Sequence, residues 1–160
     1  MKNFVLFGKP GSGKGTQAEH LSEKYKLYHI STGDLFRKNI SQNTNLGLLA
    51  QSYMDKGELV PDEVTIKMLE NEIKENPQSK GFLFDGFPRT IAQAESLDKF
   101  LKSIDMQINA TLALDVDEEE LISRIIDRGK TSNRSDDQDI EKIQNRFNEY
   151  NMKTSTLSRY

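Results

Sequence analysis

Short apolar runs alternate along the chain with longer segments in which apolar residues recur every three or four positions. Four runs have the length of strands, and they lie at 4–7, 28–30, 81–85 and 111–116. Nearly continuous apolar runs, of which the last two are the clearest, are typical of strands covered on both faces in a parallel sheet. The intervening periodicity is that of amphipathic helices. The pattern therefore predicts an α/β fold, a doubly wound parallel sheet with helices on both faces.

Helix starts can be assigned at several points between and after these runs. Thr90 with Gln93, and Asp117 with Glu120, have the spacing of a capping box, and an apolar stripe follows each pair. Asp136 precedes a last amphipathic pattern that reaches position 150. We therefore expect helices after the third and fourth strands and a further helix near the end.

The chain is expected to form one domain of 160 residues, because no repeat, low-complexity tract or linker divides it. We assign its core to 1–30, 62–128 and 136–160. Two polar stretches, an insertion at 31–61 and a short loop at 129–135, have the composition of mobile lids.

Composition narrows the classes of function. The chain has 22 Lys and Arg against 25 Asp and Glu, a net charge of −3, and it lacks the basic cluster typical of nucleic-acid binding. The absence of Cys excludes disulfides, thiolate chemistry and a Cys-ligated zinc, and two separated His leave little for a His-based metal site. The apolar run near the start is far shorter than the ~20 residues of a membrane span. We therefore expect a cytoplasmic protein with neither nucleic acid nor membrane as a partner.

A glycine-rich stretch between the first strand and the first helix is the most informative motif. It consists of Gly8-Lys9-Pro10-Gly11-Ser12-Gly13-Lys14-Gly15-Thr16. In a phosphate-binding loop, backbone N–H groups converge on phosphate oxygens, the helix N-terminus adds positive charge, and a lysine bridges the terminal phosphates. The alternative, a Gly-rich turn with a solvated Lys, is much rarer in this strand–loop–helix context. The motif predicts a sheet of the P-loop NTP hydrolase type and a polyphosphate ligand.

One residue of this loop departs from the generic pattern. Gly15 replaces the Ser or Thr whose hydroxyl binds the metal in generic GTPases and ATPases, and the hydroxyl comes one residue later, at Thr16. No Asn-Lys-x-Asp stretch for reading guanine follows the fourth strand. Both features disfavour a GTPase.

A carboxylate and several arginines could complete a site for phosphoryl transfer. Asp85 ends an apolar strand, so it should emerge beside the loop and could hold Mg²⁺ through water. Local chemistry alone favours a turn residue before Gly86, but the neighbouring phosphate-binding loop favours the magnesium role. Arg124 and Arg128 share a helix face and could clamp an anion, although a single surface arginine is more often only solvated. Phosphoryl transfer needs cations over the migrating charge. The candidates are Arg37, Arg89, Arg124, Arg128, Arg134 and Arg146.

Taken together, these motifs resemble those of adenylate kinases, members of the nucleoside monophosphate kinases. The first matching segments are Gly8 to Thr16 with Gln17, Ser31-Thr32-Gly33-Asp34-Leu35-Phe36-Arg37, Lys56-Gly57-Glu58-Leu59-Val60-Pro61, and Asp85-Gly86-Phe87-Pro88-Arg89-Thr90 with Gln93. The later ones are Arg124, Arg128, Arg134-Ser135-Asp136-Asp137 and Arg146. The resemblance covers essentially the whole chain, and the combination is highly specific.

The resemblance implies the reaction MgATP + AMP ⇌ 2 ADP by direct in-line transfer, with ATP, AMP and ADP as partners. By this resemblance, ATP is held by Gly11, Ser12, Gly13, Lys14, Gly15, Thr16, Arg124 and Arg128. AMP is held by Thr32, Arg37, Glu58, Leu59, Val60, Gly86, Phe87, Pro88, Arg89, Gln93, Arg134 and Arg146. The implied catalytic residues are Lys14, Arg89, Arg128, Arg134 and Arg146, and Asp85 would position Mg²⁺ through its waters.

Gln93 has two explanations that the sequence leaves open. It is the N3 residue of the capping box begun by Thr90, so its side chain could satisfy the backbone; the resemblance instead implies a contact with the base of AMP. Thr32 and Gln93 together resemble the adenylate subgroup, whereas pyrimidine-specific relatives tend to carry other residues there.

Two features of this chain differ from the usual pattern of the family that it resembles. The loop at 129–135 resembles the short-lid form, so no structural zinc is expected, and a monomer is expected. The family normally continues beyond position 160 with another strand and a terminal helix; without them, one sheet edge and part of an apolar face are expected to be open. The alternatives to an adenylate kinase are a kinase of CMP or UMP with the same chemistry, and a nucleotide-binding chain without turnover.

Overall fold

The computed structural model describes residues 1–132 and 134–160. Its strands are β1 (Phe4–Gly8), β2 (Tyr28–Ser31), β3 (Phe82–Asp85) and β4 (Ala110–Leu114). The helices of the first half are α1 (Lys14–Tyr25), α2 (Thr32–Ser41), α3 (Asn45–Met54) and α4 (Asp62–Glu75). Those of the second half are α5 (Ile91–Ser103), α6 (Glu118–Thr131) and α7 (Ile140–Glu149). Short helical turns cover Ser135–Asp137, Tyr150–Thr154 and Ser155–Arg159.

The four strands form one parallel sheet in the order β2-β3-β1-β4. Successive residues of β1 face opposite sides: Val5 packs with Leu69 of α4 and Leu97 of α5, whereas Leu6 packs with Ala18 of α1. The two core clusters lie on opposite faces because side chains alternate along a strand. The predicted α/β fold with helices on both faces is therefore confirmed.

The register brings the carboxyl ends of three strands together. Asp85, the last residue of β3, pairs with Leu6 of β1 and with Ser31 of β2. Ligands of open α/β sheets bind outside this edge, at the point where the strand order reverses. The loop after β1, the start of α2 and the loop after β3 consequently face one another.

The edge strand β4 differs from the sequence prediction. A strand covered on both faces was expected, but residues 110–113 are exposed, including Leu112 at 37%. The reason is positional: in the described part of the chain, β4 pairs only with β1, and an apolar groove of about 480 Å³ opens beside it between Phe7, Leu97, Ile108 and Tyr150. Over residues 1–132 and 134–160, this edge of the sheet and the adjoining apolar groove are therefore uncovered.

Helix ends depart from the sequence predictions at two places. The capping box at Asp117 is wrong: Asp117 precedes α6 but its side chain accepts no capping bond, and Glu120 is instead paired with Arg124 at 2.8 Å. Helix α6 continues to Thr131, three residues into the loop predicted at 129–135. Asn133 of that predicted loop lies outside the described residues.

The polar insertion at 31–61 contains two tightly packed helices. Ser31 caps α2 by accepting from the Asp34 N–H (3.3 Å), and Thr44 caps α3 by accepting from the Gly47 N–H (2.9 Å). A Cβ at Gly47 would collide with the Asn39 carbonyl, so the close approach of the two helices requires glycine there.

Over the two described ranges, none of the helices has both the length and the apolar content that crossing a membrane requires. The same ranges contain no group of three or more His, Cys, Asp or Glu arranged to hold a metal ion.

Candidate functional site

A cavity of about 540 Å³ lies at the carboxyl edge of the sheet. It is bordered by the loop after β1, the end of β3, the insertion with α2 and α3, and the facing sides of α6 and α7. The cavity is bordered by the predicted site residues Gly11, Ser12, Gly13, Lys14, Gly15, Thr16, Thr32, Arg37, Glu58, Leu59, Val60, Asp85, Gly86, Arg89, Gln93, Arg124, Arg128, Arg134 and Arg146.

Two predicted site residues do not border this cavity. Phe87 is 1% exposed and belongs to the core cluster under β1 and β3. Pro88 borders the apolar groove beside β4. Any contact of these two residues with a ligand in the main cavity stays a prediction.

The loop after β1 is folded around its own lysine. Lys14 Nζ donates to the carbonyl oxygens of Gly8 (2.8 Å) and Lys9 (3.0 Å). Gly11 has a φ of +82°, and a Cβ there would lie 2.8 Å from a side-chain carbon of Ile125, so glycine is required by both conformation and space. Because the loop closes on Lys14, the ammonium group is held at the base of the cavity.

The position of Lys14 has an electrostatic cost. Burial first of all, with the positive charges of Arg89, Arg146 and Arg128, lowers its pKa to about 8, although the carboxylate of Asp85 acts in the opposite direction. The buried ammonium has lost the water that would solvate it in solution. An anion that binds next to it compensates for this loss and so gains binding free energy.

Asp85 lies where its position in the strand predicted. It is 9% exposed, and its Oδ2 is 3.5 Å from Nε2 of His29 on the neighbouring strand β2. His29 also borders the cavity, and its buried Nε2 has no hydrogen-bond partner among the described residues. A carboxylate oxygen is thus available at the edge of the cavity beside the phosphate-binding loop.

Two arginines on the far side of the cavity share one buried carboxylate. Arg128 on α6 forms two bonds with Asp137 (Nε–Oδ2 2.6 Å and Nη2–Oδ1 2.9 Å), and Arg146 on α7 approaches the same Oδ1 with Nη1 at 2.7 Å. The Asp137 side chain is fully buried, and Arg146 also pairs with Asp136 at 3.1 Å. Asp137 therefore fixes the separation of two guanidinium groups that come from different helices.

The two arginines determine the protonation state of Asp137. Burial on its own raises the pKa of this carboxyl, but the hydrogen bonds and charges of Arg128 and Arg146 outweigh it and hold the pKa below its ordinary value. The carboxylate therefore stays ionised at neutral pH.

The remaining arginines are held in different ways. Arg89 Nε donates to the Gly86 carbonyl at 2.6 Å, and burial followed by the charge of Arg146 lowers the pKa of Arg89. Arg134 lies 3.6 Å from Asp34, which also pairs with Arg37 at 2.5 Å. Asp34 thus connects the insertion with the segment that follows α6.

The predicted clamp of Arg124 and Arg128 is not a simple pair of free cations. Both side chains border the cavity, but Arg124 pairs with Glu120 and Arg128 pairs with Asp137. An anion that binds both would have to compete with these carboxylates.

The opposite end of the cavity carries a less charged pocket. Thr32 Oγ1 donates to the Gly86 carbonyl at 2.9 Å, which ties α2 to the loop after β3. Phe36, Met54 and Val60 contribute apolar surface, and the amide of Gln93 faces the same space. Such a mixture of apolar walls and one amide suits a flat, polar-edged ring.

Gln93 combines the two explanations that the sequence left open. Its main-chain N–H donates to Thr90 Oγ1 at 3.2 Å, as a capping box requires, but its side-chain Oε1 accepts from the N–H of Arg89 (2.7 Å) rather than of Thr90. Its Nε2 donates to Asp62 Oδ1 at 2.7 Å. The side chain therefore satisfies local polar groups and still borders the cavity.

Three residues that border the cavity or bond to residues bordering it were not among the predicted site residues. Asp62 bonds to Gln93, Asp137 bonds to Arg128, and His29 borders the cavity from β2. For Asp137, the signal was present as an acidic pair beside ordered arginines. Asp62 gave no signal, because its partner lies 31 residues away in sequence.

Comparisons with known proteins agree with this geometry. A family model described as adenylate kinase matches residues 6–160. The adenylate kinase of Flavobacterium psychrophilum is 64% identical over 160 residues, which is all of this chain and 84% of the relative. Those of Flavobacterium johnsoniae and Bacteroides fragilis are 60% and 51% identical over the same shares of both chains.

Proposed function

The chain belongs to the adenylate kinase family, and from that premise we propose how its own residues bind and align two nucleotides. It is a phosphotransferase, and its reaction is the reversible transfer of a phosphoryl group from ATP to AMP, which yields two molecules of ADP. The relatives give no support to a kinase of CMP or UMP, or to a binding chain without turnover.

ATP binds with its phosphates on the loop after β1. The main-chain N–H groups from Gly11 to Thr16 and the start of α1 supply the anion site, and Lys14 reaches the terminal phosphates. Arg124 and Arg128 also border the cavity, and in this proposal they contact the nucleotide from α6. The bonds of Lys14 to two loop carbonyls support this role, since they hold the ammonium where the phosphates arrive.

AMP binds at the opposite end. Arg37 and Arg89 hold its phosphate, Thr32 and Gly86 border its ribose and base, and the amide of Gln93 contacts the base edge. The backbone of 58–60 and the apolar surface of Phe36 and Met54 cover the ring. Phe87 and Pro88 contribute by holding the loop after β3 from the core side.

The transfer itself relies on position and charge. Arg89, Arg128, Arg134 and Arg146 neutralise the charge that spreads over the migrating phosphoryl group. No covalent intermediate is needed when the two phosphates are held in line with one another. The carboxylate of Asp137 supports this role because it fixes Arg128 and Arg146 before substrates bind.

Mg²⁺ fits the donor set beside the loop. Asp85 presents one hard carboxylate oxygen at the edge of the cavity, which suits a cation that keeps most of its waters and takes its other ligands from phosphates. When bound with ATP, the ion supplies positive charge to the phosphates and holds them in one geometry. Asp85 would orient its waters, and Thr16 also borders the cavity.

Two segments close over the substrates in this proposal. The domain consists of a core (1–30, 62–128 and 136–160), an acceptor-binding insertion at 31–61 and a short lid at 129–135, without structural zinc. The ion pair between Arg134 and Asp34, at 3.6 Å, supports an approach of the lid to the insertion. Closure excludes water, which would otherwise compete with AMP for the phosphoryl group.

We further propose that the enzyme acts in the cytoplasm as a monomer. The acidic charge balance supports the absence of a nucleic-acid partner.

The observation that carries the proposal is the convergence of Lys14, Arg89, Arg128 and Arg146 on one cavity with the phosphate-binding loop. The test is ADP formation by this 160-residue chain from MgATP with AMP, CMP or UMP as acceptor. We expect turnover with AMP and at least tenfold less with the other two. If a folded sample forms no ADP with any of the three acceptors, turnover by this chain is contradicted. Equal rates with AMP, CMP and UMP would contradict the assignment of the acceptor pocket.

A further inference from the structure

The amide of Gln93 lies between two partners of opposite character. Its Nε2 donates to Asp62 Oδ1 at 2.7 Å, and its Oε1 accepts from the Arg89 main-chain N–H at 2.7 Å. A carboxylate can only accept, and a main-chain N–H can only donate. The two bonds therefore determine which end of the amide is oxygen and which is nitrogen.

Reversal of this amide is costly. A flipped Gln93 would turn its oxygen towards the Asp62 carboxylate and its NH₂ towards the Arg89 N–H. Both hydrogen bonds would be replaced by contacts between like groups, in a side chain that is only 2% exposed.

Asp62 is itself held in place. Its second oxygen accepts from the Thr90 hydroxyl at 2.8 Å, and that hydroxyl in turn accepts from the Gln93 N–H at 3.2 Å. The three side chains connect the first turn of α4 to the first turn of α5. Asp62 does not border the cavity, whereas Gln93 does.

Each end of the Gln93 amide can still form one more hydrogen bond. One N–H of Nε2 and one lone pair of Oε1 remain after the two bonds are counted. These are the groups that Gln93 can offer to a ligand in the cavity, and their order along the amide is fixed.

We propose that Asp62 is a positioning residue that sets the polarity of the Gln93 amide and thereby selects an acceptor base with an amino donor beside a ring-nitrogen acceptor. This inference rests on the proposed contact between Gln93 and the acceptor's base. Adenine has that edge, because N6 donates and N1 accepts. Hypoxanthine has the reversed edge, because its O6 accepts and its N1–H donates. In the same pose, the fixed amide pairs with adenine and opposes hypoxanthine.

The test compares kcat/KM for AMP and for inosine monophosphate in the 160-residue chain with Asp62→Ala. We expect the AMP-to-IMP ratio to fall about tenfold, since one misoriented bidentate contact is of that size, through a higher KM for AMP and little change in kcat. The KM for ATP stays within twofold. Glu63→Ala is the matched control: it removes the neighbouring acidic charge from the same helix turn, at an exposed position, and should leave the ratio unchanged.

Two further variants separate positioning from structure. Asp62→Asn should keep the ratio within about threefold, because its oxygen can still accept from Gln93 while its NH₂ donates to the Thr90 hydroxyl. In a Gln93→Ala background, Asp62→Ala should change the ratio no further, since a residue that acts through Gln93 has nothing left to orient. If Asp62→Ala does not fold, Asp62→Ser replaces it, because serine suits a helix start and is too short to reach the amide.

The possible results are distinct. A ratio within twofold of the Glu63→Ala control overturns the inference, and so does an equal fall with and without Gln93. An unchanged ratio in Gln93→Ala alone, with AMP still accepted, overturns both the base contact and the inference, but leaves the phosphoryl-transfer proposal intact. Loss of turnover with every acceptor in the unsubstituted chain contradicts the proposed function itself and overturns the inference that rests on it.

Discussion

On one side of the comparison is Lys14 and on the other are Arg128 and Arg146; all three border the cavity, but their hydrogen-bond partners differ in charge. Lys14 is held by neutral oxygens, the carbonyls of Gly8 and Lys9, and burial lowers its pKa to about 8. Arg128 and Arg146 are held by an anion, the buried carboxylate of Asp137. The lysine side is therefore poised to gain from an arriving phosphate, whereas the arginine side is already compensated.

This difference indicates that Lys14 and the two arginines have different roles in binding and catalysis. A cation whose hydrogen bonds go only to neutral oxygens contributes most of its binding energy when the anionic ligand arrives. A cation that is already bonded to a carboxylate contributes a fixed geometry instead. Substitutions on the two sides should consequently differ in kind: loss of Lys14 should remove activity with little loss of stability, and loss of Asp137 should reduce both.

Replacement of Lys14 has the largest expected effect. Lys14→Met should lower kcat about 10³-fold, because one preorganised charge at the migrating phosphoryl group contributes that much in a site shielded from water. ADP formation from MgATP and AMP measures it. Lys9→Met is the matched control from the same loop: Lys9 pairs with Glu118 at 2.9 Å instead of pointing at the loop carbonyls, and its loss should change kcat less than threefold. Near-normal turnover of Lys14→Met would contradict the assigned role.

Replacement of Asp137 comes next, and its effect is divided between activity and stability. Asp137→Ala leaves Arg128 and Arg146 beside each other without their shared carboxylate. We expect the free energy of unfolding in urea to fall by about 2–3 kcal/mol, below the usual range for a buried pair because Arg128 is 35% exposed. Activity should fall about 10²-fold as both guanidinium groups lose their positions.

The control for Asp137 is an ion pair on the surface. Asp127 pairs with Lys130 at 2.7 Å, and both side chains are about two-thirds exposed. Asp127→Ala should cost less than about 0.5 kcal/mol and leave the activity unchanged. Equal losses of stability in the two variants would show that Asp137 does not differ from a surface carboxylate.

The contrast also explains what could be predicted from sequence. The phosphate-binding loop and Asp85 were predictable because their positions follow from a strand that ends and a helix that begins. The partnership of Arg128, Arg146 and Asp137 was not, because it depends on how α6 and α7 cross. The link between Asp62 and Gln93 is of the same kind, since α4 and α5 meet only in the folded chain.

The prediction for β4 went wrong for a related reason. Residues 111–116 have the composition of a covered strand, and composition reports what a strand can bury. Whether Leu112 is covered depends on the neighbours of β4 in the sheet, and in the described structure the strand has β1 on one side only. Local pattern therefore identified the strand but not its exposure.

The lowered pKa of Lys14 predicts a pH dependence that sharpens the comparison. Bound phosphates keep the ammonium group of Lys14 charged. At a pH above its pKa of about 8, the free chain must therefore take up a proton when the ligand binds. The affinity for an unreactive ATP analogue should be about tenfold lower at pH 9 than at pH 7. Calorimetry in buffers of different ionisation heat measures the proton uptake, and Lys14→Met should abolish this component.

The lowered pKa of Lys14 also makes the stability of the fold depend on pH, in the opposite direction to the ligand affinity. Its pKa is about 8 in the folded chain and 10.5 for a lysine that is fully solvated, as in the unfolded chain, so between these values the unfolded chain binds more protons. The contribution of Lys14 to the free energy of unfolding therefore rises with pH over this window, while ligand affinity falls. The difference in unfolding free energy between the unsubstituted chain and Lys14→Met isolates it; a difference that does not vary between pH 7.5 and 10 would contradict the lowered pKa.

Arg124 should have the smallest effect, and it tests whether a third kind of cation exists at this site. It is 48% exposed and pairs with Glu120, which is 56% exposed, so the pair should contribute no more than about 0.5 kcal/mol to stability. Arg124→Ala should raise the KM for ATP about threefold without changing kcat, because an exposed contact with the nucleotide is the same in the ground and transition states. Glu120→Gln separates the two roles: it breaks the same ion pair but leaves the guanidinium in place. If Arg124 only stabilises α6, both variants shift the melting temperature equally and neither changes the KM for ATP; if it contacts the nucleotide, only Arg124→Ala raises that KM.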